Sequence, residues 1–195
     1  MSSVLMQGVG FSHFLLKRQL AGDSNENNRV IDATAGNGHD TVFLAELVGD
    51  GGFVWAFDIQ KEAIEHTADK IEQHSLTGRV ELIHDGHEKM ADYISEPVTA
   101  IVFNLGYLPG SDKKIITTPS RTLAALKAAL NLLVPGGLIV MVIYTGHTGG
   151  QKEKEVLLEY CCELDEKQYN VLNYNFINQP RAPARVLAVE SRPQK

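Results

Sequence analysis

The sequence is poor in cysteine and has no long apolar run. Its 195 residues include 2 cysteines, Cys161 and Cys162, which are adjacent in a stretch of helical character. Neighbouring cysteines rarely bridge each other, and no second pair offers a zinc site, so we expect reduced thiols and no metal. No apolar run approaches the roughly 20 residues that a membrane-spanning helix needs. Residues 1–8 lack the basic and apolar regions of a signal peptide, which predicts a cytoplasmic protein away from membranes.

The chain also lacks an excess of basic residues. It has 18 lysines and arginines against 24 acidic residues, a formal net charge of −6. This balance excludes a uniformly basic surface for nucleic acid but leaves room for a local basic patch, which matters more than the total. Candidates for such a patch lie in segments predicted as loops after strands or near the C-terminus: Lys113, Lys114, Arg121, Lys152, Lys154, Arg181 and Arg185.

Short apolar segments alternate with amphipathic segments along the chain. This alternation predicts one α/β domain over residues 1–195, with a parallel sheet and helices on both of its faces. The predicted strands cover 29–33, 53–58, 79–84, 98–104 and 138–144. The predicted helices cover 10–20, 39–48, 61–74, 88–94, 119–133 and 151–164. Polar or Gly- and Pro-rich turns are expected at 23–28 and 135–137, and the first helix is expected to pack beside the ligand site.

Residues 30–41 read VIDATAGNGHDT, a short strand that runs into a glycine-rich turn and then a helix. Gly36 and Gly38 would allow a ligand to approach the backbone closely, and the helix N-terminus offers free N–H groups. The next predicted strand ends in Asp58, about 20 residues on, where a carboxylate can bind ribose hydroxyls. A plain tight turn is the alternative for the glycines alone, but together with Asp58 they predict a nucleoside site.

Two residues of this turn indicate which nucleoside binds. Thr41 stands where a dinucleotide fold has its third glycine, and the acidic Asp32 would repel a diphosphate. The sulfonium and ammonium of S-adenosylmethionine would instead be attracted. The third predicted strand leads into Asp85, placed to meet the adenine amino group. The predicted donor-binding residues are Asp32, Thr34, Gly36, Asn37, Gly38, Asp58, Ile59, Gln60, Asp85, Gly86, His87 and Asn104.

Residues 100–109 read AIVFNLGYLP and predict the acceptor site. Ligands bind at the carboxyl ends of strands in open α/β sheets, and this strand ends at Asn104. The Asn104 amide oxygen and the Leu105 carbonyl can accept both hydrogens of an amine, and Tyr107 beyond Gly106 can stack on a base. We therefore predict Asn104 and Tyr107 as catalytic residues for transfer of a group to an amino nitrogen on, or attached to, a nucleobase.

The end of the chain completes the fold prediction. Two β-rich segments, 169–177 and 185–190, are separated by a turn at 178–183 that is too short for a helical crossover, so they must pair antiparallel. Five β/α units followed by an antiparallel hairpin predict the Rossmann-like seven-stranded sheet of class I methyltransferases, with helices on both faces.

Four segments together resemble a known family: 12–17 (SHFLLK), 32–41 (DATAGNGHDT), 104–110 (NLGYLPG) and 117–123 (TTPSRTL). They resemble, along essentially the whole chain, the YtqB-like rRNA-methylase family of class I methyltransferases. Members are understood as tRNA methyltransferases of the MnmM type, which convert the 5-aminomethyl group of wobble (2-thio)uridine to 5-methylaminomethyl. The resemblance implies S-adenosylmethionine as donor and a tRNA anticodon stem-loop as partner. The residues expected to hold that substrate are Leu105, Gly106, Tyr107, Lys113, Lys114, Arg181 and Arg185.

Several alternatives stay open from the sequence. An N-methyltransferase of a small molecule suits the acidic net charge, rRNA is another acceptor, and a catalytically silent nucleoside- or RNA-binding module is the rival from another class. A nicotinamide oxidoreductase is disfavoured by Asp32 and Thr41. No strong general base is evident, with His13 and His147 as outside candidates, and a homodimer is left open.

Overall fold

A computed structural model describes residues 4–21, 27–106, 117–146, 148–179 and 184–193. The strands are β1 (Arg29–Asp32), β2 (Phe53–Phe57), β3 (Val80–Ile83), β4 (Val98–Leu105), β5 (Leu133–Ile143), β6 (Tyr169–Tyr174) and β7 (Arg185–Ser191). The helices are α1 (Gly8–Leu20), α2 (His39–Val48), α3 (Lys61–Gln73), α4 (Met90–Tyr93), α5 (Pro119–Leu132) and α6 (Gly150–Cys162), with 3₁₀ turns at Thr77–Arg79 and His87–Lys89.

The strands form one seven-stranded sheet in the order β3-β2-β1-β4-β5-β7-β6. Strands β1 to β5 are parallel, and β7 pairs antiparallel with both β5 and β6. The predicted sheet and its C-terminal antiparallel hairpin are therefore confirmed. Because these strands are parallel, the carboxyl ends of β1, β2 and β4 lie at one edge of the sheet. The chain crosses from β3 back to β4 beside β1, and ligands bind at such a reversal in open α/β sheets.

Apolar side chains cover both faces of the sheet. Successive side chains of a strand point to opposite faces. Phe103 and Met141 accordingly pack in the cluster with α5 and α6, whereas Val102 and Val140 pack in the cluster with α1 and α2. Full burial of an apolar side chain of this size contributes roughly 1.5–3 kcal/mol, so these two layers hold the strand ends in place.

The prediction of a turn at 135–137 is wrong, because β5 continues through these residues. The register moves from Val98↔Leu133 to Ala100↔Leu138, which is a bulge on the β5 side. Gly136 adopts a φ of +79° there, a conformation that glycine takes without a steric penalty. The extra residues are thus absorbed inside the strand, and β5 begins earlier than the apolar run alone indicates.

Other differences are at element ends. Helix α1 begins at Gly8 rather than at residue 10, and β6 ends at Tyr174 rather than at residue 177. The helix predicted over 88–94 is a 3₁₀ turn followed by the short α4. The turns predicted at 23–28 and 178–183 and the loop after β4 fall largely outside the described residues.

The two cysteines lie at the end of α6. Cys161 is buried and Cys162 is exposed on α6, and both are free thiols. Burial raises the pKa of Cys161 to about 12, so it packs as a small apolar side chain.

No helix among the described residues combines the length and the apolar character needed to cross a bilayer. Within those same ranges no three His, Cys, Asp or Glu side chains are grouped so as to hold a metal ion.

Candidate active site

Asp32 lies at the carboxyl end of β1 and is buried. Its Oδ2 accepts a hydrogen bond from Thr41 Oγ1 at 2.6 Å, and its Oδ1 accepts one from the Thr34 N–H at 3.1 Å. Burial, with the nearby charge of Asp40 adding to it, raises the pKa of Asp32 to about 7 despite these two hydrogen bonds. A cation placed beside this carboxyl would favour its ionised form.

The glycine-rich turn after β1 is held from the end of β2. Gly36 and Gly38 have φ values of +55° and +76°, and a Cβ on Gly38 would lie 3.0 Å from the Cα of Thr67. Asp58 accepts the Gly36 N–H at Oδ2 and the Gln60 N–H at Oδ1, both at 2.9 Å. A carboxylate has about four acceptor sites, so Asp58 keeps capacity for the hydroxyls of a bound ribose.

Asp85 and the residues around it lie at the end of β3. Its carboxylate accepts from the Gly86 N–H at 2.7 Å, from Tyr93 at 2.8 Å and from Lys89 Nζ at 3.0 Å. The bond from Lys89, followed by those from Gly86 and Tyr93, lowers the pKa of Asp85 to about 2. The predicted third acidic strand end is therefore an ionised carboxylate that is already well bonded within the chain.

His87 connects the third strand end to the first. Its Nδ1 lies 3.0 Å from the Ala33 carbonyl oxygen, and its ring meets Phe103 edge to face. Burial lowers the pKa of His87, so the ring is neutral and Nδ1–H donates to the carbonyl. This bond leaves Nε2 as the ring atom available to a ligand. Of the other predicted donor-site residues, Asn37 is half-buried and Ile59 is 40% exposed.

Asn104 is the last residue but one of β4 and lies beside the turn after β1. Its backbone N–H donates to Thr34 Oγ1 at 2.7 Å, which joins the two strand ends, and its Nδ2 donates to Asp40 Oδ2 at 3.2 Å. The Leu105 side chain is buried, and its carbonyl accepts the Tyr144 N–H at 3.3 Å. That carbonyl keeps only one lone pair for an acceptor amine, so the Asn104 amide is the principal polar group at this strand end.

A buried carboxylate on α6 that the sequence analysis missed anchors the first turn of α5 and the residues just before it. Glu153 on α6 accepts from Thr117 Oγ1 at 2.8 Å and from Thr122 Oγ1 at 2.6 Å. The Thr117 N–H donates to the Gly106 carbonyl at 3.1 Å, so the last described residue after β4 is bonded to the residue that comes before Thr118 and α5. The helical spacing could have revealed the burial of this carboxylate. Glu153 lies four residues before Leu157 and eight before Cys161, and all three are on the buried face of α6.

We expect Glu153→Ala to lower the free energy of unfolding by about 2–4 kcal/mol, because the buried Thr122 hydroxyl and the partly buried Thr117 hydroxyl would both lose their acceptor. Glu153→Gln keeps an acceptor oxygen and should cost less than half as much. Urea unfolding measures both, with the exposed Glu159→Ala on the same helix as control. Equal effects of the buried and the exposed alanine variants would contradict the anchoring role.

The candidate basic residues separate into three groups. Arg121 is paired with Glu88 at 2.6 Å, and both side chains fill the space beside Gly86, so Arg121 belongs to the wall of the site rather than to a free basic patch. Lys152 and Lys154 lie on α6, and Arg185 begins β7 in a depression that it shares with Thr145 and Phe176. Outside the described residues lie Tyr107, Lys113, Lys114, His147 and Arg181.

The raised pKa of Asp32 predicts how stability depends on pH. The folded pKa lies above the unfolded value, so the native chain holds a proton that the unfolded chain releases. This contribution is complete below a pH of about 4 and is lost as the pH rises to about 7. Relative to Asp32→Asn, the wild type should lose about 3 kcal/mol between pH 5 and pH 8, measured by urea unfolding. A constant difference across that range would contradict the assignment.

Comparison with known proteins identifies the family. Residues 54–190 match the family model described as "Putative rRNA methylase". The chain belongs to this family. It is 42% identical over 171 residues to the chloroplastic tRNA (mnm(5)s(2)U34)-methyltransferase of Arabidopsis thaliana, covering 83% of this chain. It spans only 62% of the length of that relative.

Two crystal structures have the same fold over nearly the whole chain. One, described as a "putative rRNA-methylase" from Clostridium thermocellum, has 43% identity and a TM-score of 0.90, covering 97% of this chain and 100% of its own. The other, a "putative methyltransferase" from Streptococcus mutans in complex with SAH, has 38% identity and a TM-score of 0.86 and covers 96% and 99%. The class I methyltransferase fold predicted from the sequence is therefore confirmed.

Proposed function

We propose that this protein is an S-adenosylmethionine-dependent N-methyltransferase that converts the 5-aminomethyl group of tRNA wobble (2-thio)uridine to 5-methylaminomethyl. The observation that carries the proposal is the Asn104 amide near the end of β4, which donates to Asp40 while its backbone N–H donates to Thr34 in the turn after β1. The name of the Arabidopsis relative and the SAH complex of the Streptococcus structure support the same reaction.

The donor set fits a cationic nucleoside. Asp32 and Asp58 flank the glycine-rich turn, and neither forms an ion pair with lysine or arginine among the described residues. Two uncompensated carboxyls would repel a diphosphate and attract a sulfonium. In the proposed binding mode, Asp58 accepts the ribose hydroxyls, and Asp85 meets the adenine amino group. When bound, S-adenosylmethionine supplies an electrophilic methyl group on a positively charged sulfur.

Asn104 would act on the acceptor nitrogen. An alkylammonium has no lone pair, so the acceptor must first lose a proton. The neutral nitrogen then forms its bond to the methyl carbon while the bond between sulfur and that carbon breaks. The neutral amide oxygen of Asn104 can accept an N–H and aim the nitrogen lone pair without holding the amine as an ion. Alignment of this kind supplies as much as about 7–11 kcal/mol of rate enhancement. Tyr107 is proposed to stack on the base.

Basic residues would bind the phosphates of the anticodon stem-loop, with Lys113, Lys114, Arg181 and Arg185 as the proposed contacts. Arg185 pairs with Ile143 at the carboxyl end of β5, at the same edge as Asn104. Arg185→Gln should weaken tRNA binding and lower the salt slope of log K by about one unit. Arg192→Gln is the matched control, because Arg192 follows the opposite end of β7. Equal slopes for the two variants would remove Arg185 from the interface.

Two experiments test the proposed function. Thermal shifts with S-adenosylmethionine, SAH and NAD test the donor, since a ligand that binds the native state stabilises it. Nucleoside mass spectrometry of tRNA and rRNA from cells lacking this protein tests the acceptor, and 5-aminomethyl wobble uridine should accumulate in tRNA. An unchanged tRNA profile would favour the small-molecule N-methyltransferase, the alternative that the net charge of −6 suits.

A cytoplasmic location and a homodimer complete the proposal. Strand β6 is the edge of the sheet, and its Val171 and Leu172 are 40% and 47% exposed. An edge strand with exposed apolar side chains is where a second copy would pair. Light scattering on the purified protein tests this, and the mass of a single chain at micromolar concentration would contradict it.

A further inference from the structure

Asp40, in the first turn of α2, lies between two residues that are distant in the sequence. Its Oδ1 is 2.7 Å from His13 Nε2 on α1, and its Oδ2 is 3.2 Å from Asn104 Nδ2 at the end of β4. The Asp40 side chain is 14% exposed and that of His13 is 29% exposed. One carboxylate therefore joins the first helix to the strand end that carries the proposed acceptor group.

The direction of these hydrogen bonds follows from the chemistry of the partners. An ionised carboxylate can only accept, so His13 donates through Nε2–H and Asn104 donates through its amide N–H. The Asn104 backbone is already fixed by its bond to Thr34 Oγ1 at 2.7 Å. Rotation of the amide is the main freedom left to this side chain, and a carboxylate facing the amide selects the orientation in which nitrogen points toward it. The amide oxygen then points to the opposite side.

His13 is itself held in place. Its ring stacks on Phe43 with centroids 3.9 Å apart and planes at 11°, and Lys17 Nζ lies 5.7 Å from the centroid of the same phenyl ring. Helix α1 is fixed by the fully buried Leu20 and by stacking of Phe11 on Tyr174 of β6. The imidazole is thus a rigid donor that keeps the Asp40 carboxylate turned toward Asn104.

We propose that Asp40, held by His13, is a positioning residue that fixes the Asn104 amide with its oxygen toward the acceptor. This inference rests on the proposed function, because it assigns a role within the same site. An amide oxygen facing the acceptor selects a nucleophile that carries N–H groups. The reversed amide would present its NH₂ group, which would donate to the lone pair of a neutral amine and so hold the pair that must attack the methyl carbon. The Asp40–His13 pair therefore adapts the site to an acceptor that donates a hydrogen bond and attacks through its lone pair, as a neutral amine does.

A double-mutant cycle tests whether Asp40 acts through Asn104. Asp40→Leu should lower kcat for aminomethyl-tRNA by roughly 10- to 100-fold with donor Kd within threefold of wild type. In the Asn104→Ala background the same change should have little further effect, because the group that Asp40 positions is gone. Asp40→Asn should restore most of kcat, since it offers an oxygen to Asn104 Nδ2 and an NH₂ group to the other tautomer of His13. The exposed Asp69→Leu on α3 is the matched control.

Each result decides a separate point. Full activity of Asp40→Leu, or independent losses that multiply in the double variant, would overturn the positioning role. If Asp40→Leu does not fold, as judged by its melting curve, His13→Ala replaces it in the cycle with the same expectation. An inactive wild-type protein on aminomethyl-tRNA would instead count against the proposed function, because the cycle compares variants only where wild-type turnover exists.

Discussion

Asn104→Ala is expected to lower kcat by about 100-fold while donor affinity stays within a factor of two or three. The Asn104 side chain is attached at the strand end where the acceptor is proposed to bind. Its loss removes the group that aims the nitrogen lone pair. The backbone N–H of residue 104 would still donate to Thr34 Oγ1, so the donor side should keep its structure. Single-turnover methyl transfer and calorimetric titration with SAH measure the two quantities.

Two further variants make this result specific. Asn173→Ala removes an exposed asparagine from β6, three strands away from β4 in the sheet, and should leave kcat unchanged. Asn104→Asp places a carboxylate beside the acceptor, which would stabilise its unreactive ammonium form, so the reaction should slow at neutral pH and its optimum should rise. Full turnover by Asn104→Ala would remove Asn104 from the acceptor site.

Asp58→Ala is expected to weaken donor binding by about 10- to 100-fold. Its carboxylate accepts the backbone N–H groups of Gly36 and Gln60, and the proposed ribose contact would use the same group. The change would therefore remove a ligand contact and release the glycine-rich turn at once. The stabilisation produced by saturating S-adenosylmethionine should largely disappear from the melting curve.

The exposed Asp69→Ala on α3 serves as the control for Asp58→Ala, and it should bind the donor as the wild type does. Asp58→Asn keeps the size of the side chain but replaces one of its two oxygens with an NH₂ group. That NH₂ group would face the backbone N–H of Gly36 or Gln60, which it cannot accept. The variant should bind more weakly than the wild type in spite of its similar size. An unchanged Kd in Asp58→Ala would contradict the ribose assignment.

Local patterns predicted the order of elements and the sheet correctly. Strand β1, the turn with Gly36 and Gly38, and the start of α2 at His39 follow from residues within about four positions of one another. The antiparallel hairpin followed from the short connection between β6 and β7. The continuation of β5 through 135–137 did not follow from the local sequence. A proline and two glycines predict a turn there, and only the pairing with the neighbouring strand shows that they form a bulge instead.

The side-chain contacts of the site depend on packing that no local pattern contains. The bond between Asp40 and Asn104 joins residues 64 positions apart, and those from Thr117 and Thr122 to Glu153 span 36 and 31 positions. Their geometry is set by how α1, α2 and α6 pack on the two faces of the sheet. His13 and Arg121 illustrate the difference, since the sequence flagged both but could not show that one holds Asp40 and the other pairs with Glu88.

The most direct test of the central claim is methyl transfer by the purified protein from labelled S-adenosylmethionine to two matched tRNAs. One tRNA carries 5-aminomethyl-2-thiouridine at the wobble position, and the other carries unmodified uridine. We predict that label enters only the aminomethyl tRNA and that digestion releases it as 5-methylaminomethyl-2-thiouridine. Equal labelling of both tRNAs, or label in neither while SAH still binds, would contradict the assignment of an aminomethyl nitrogen as acceptor.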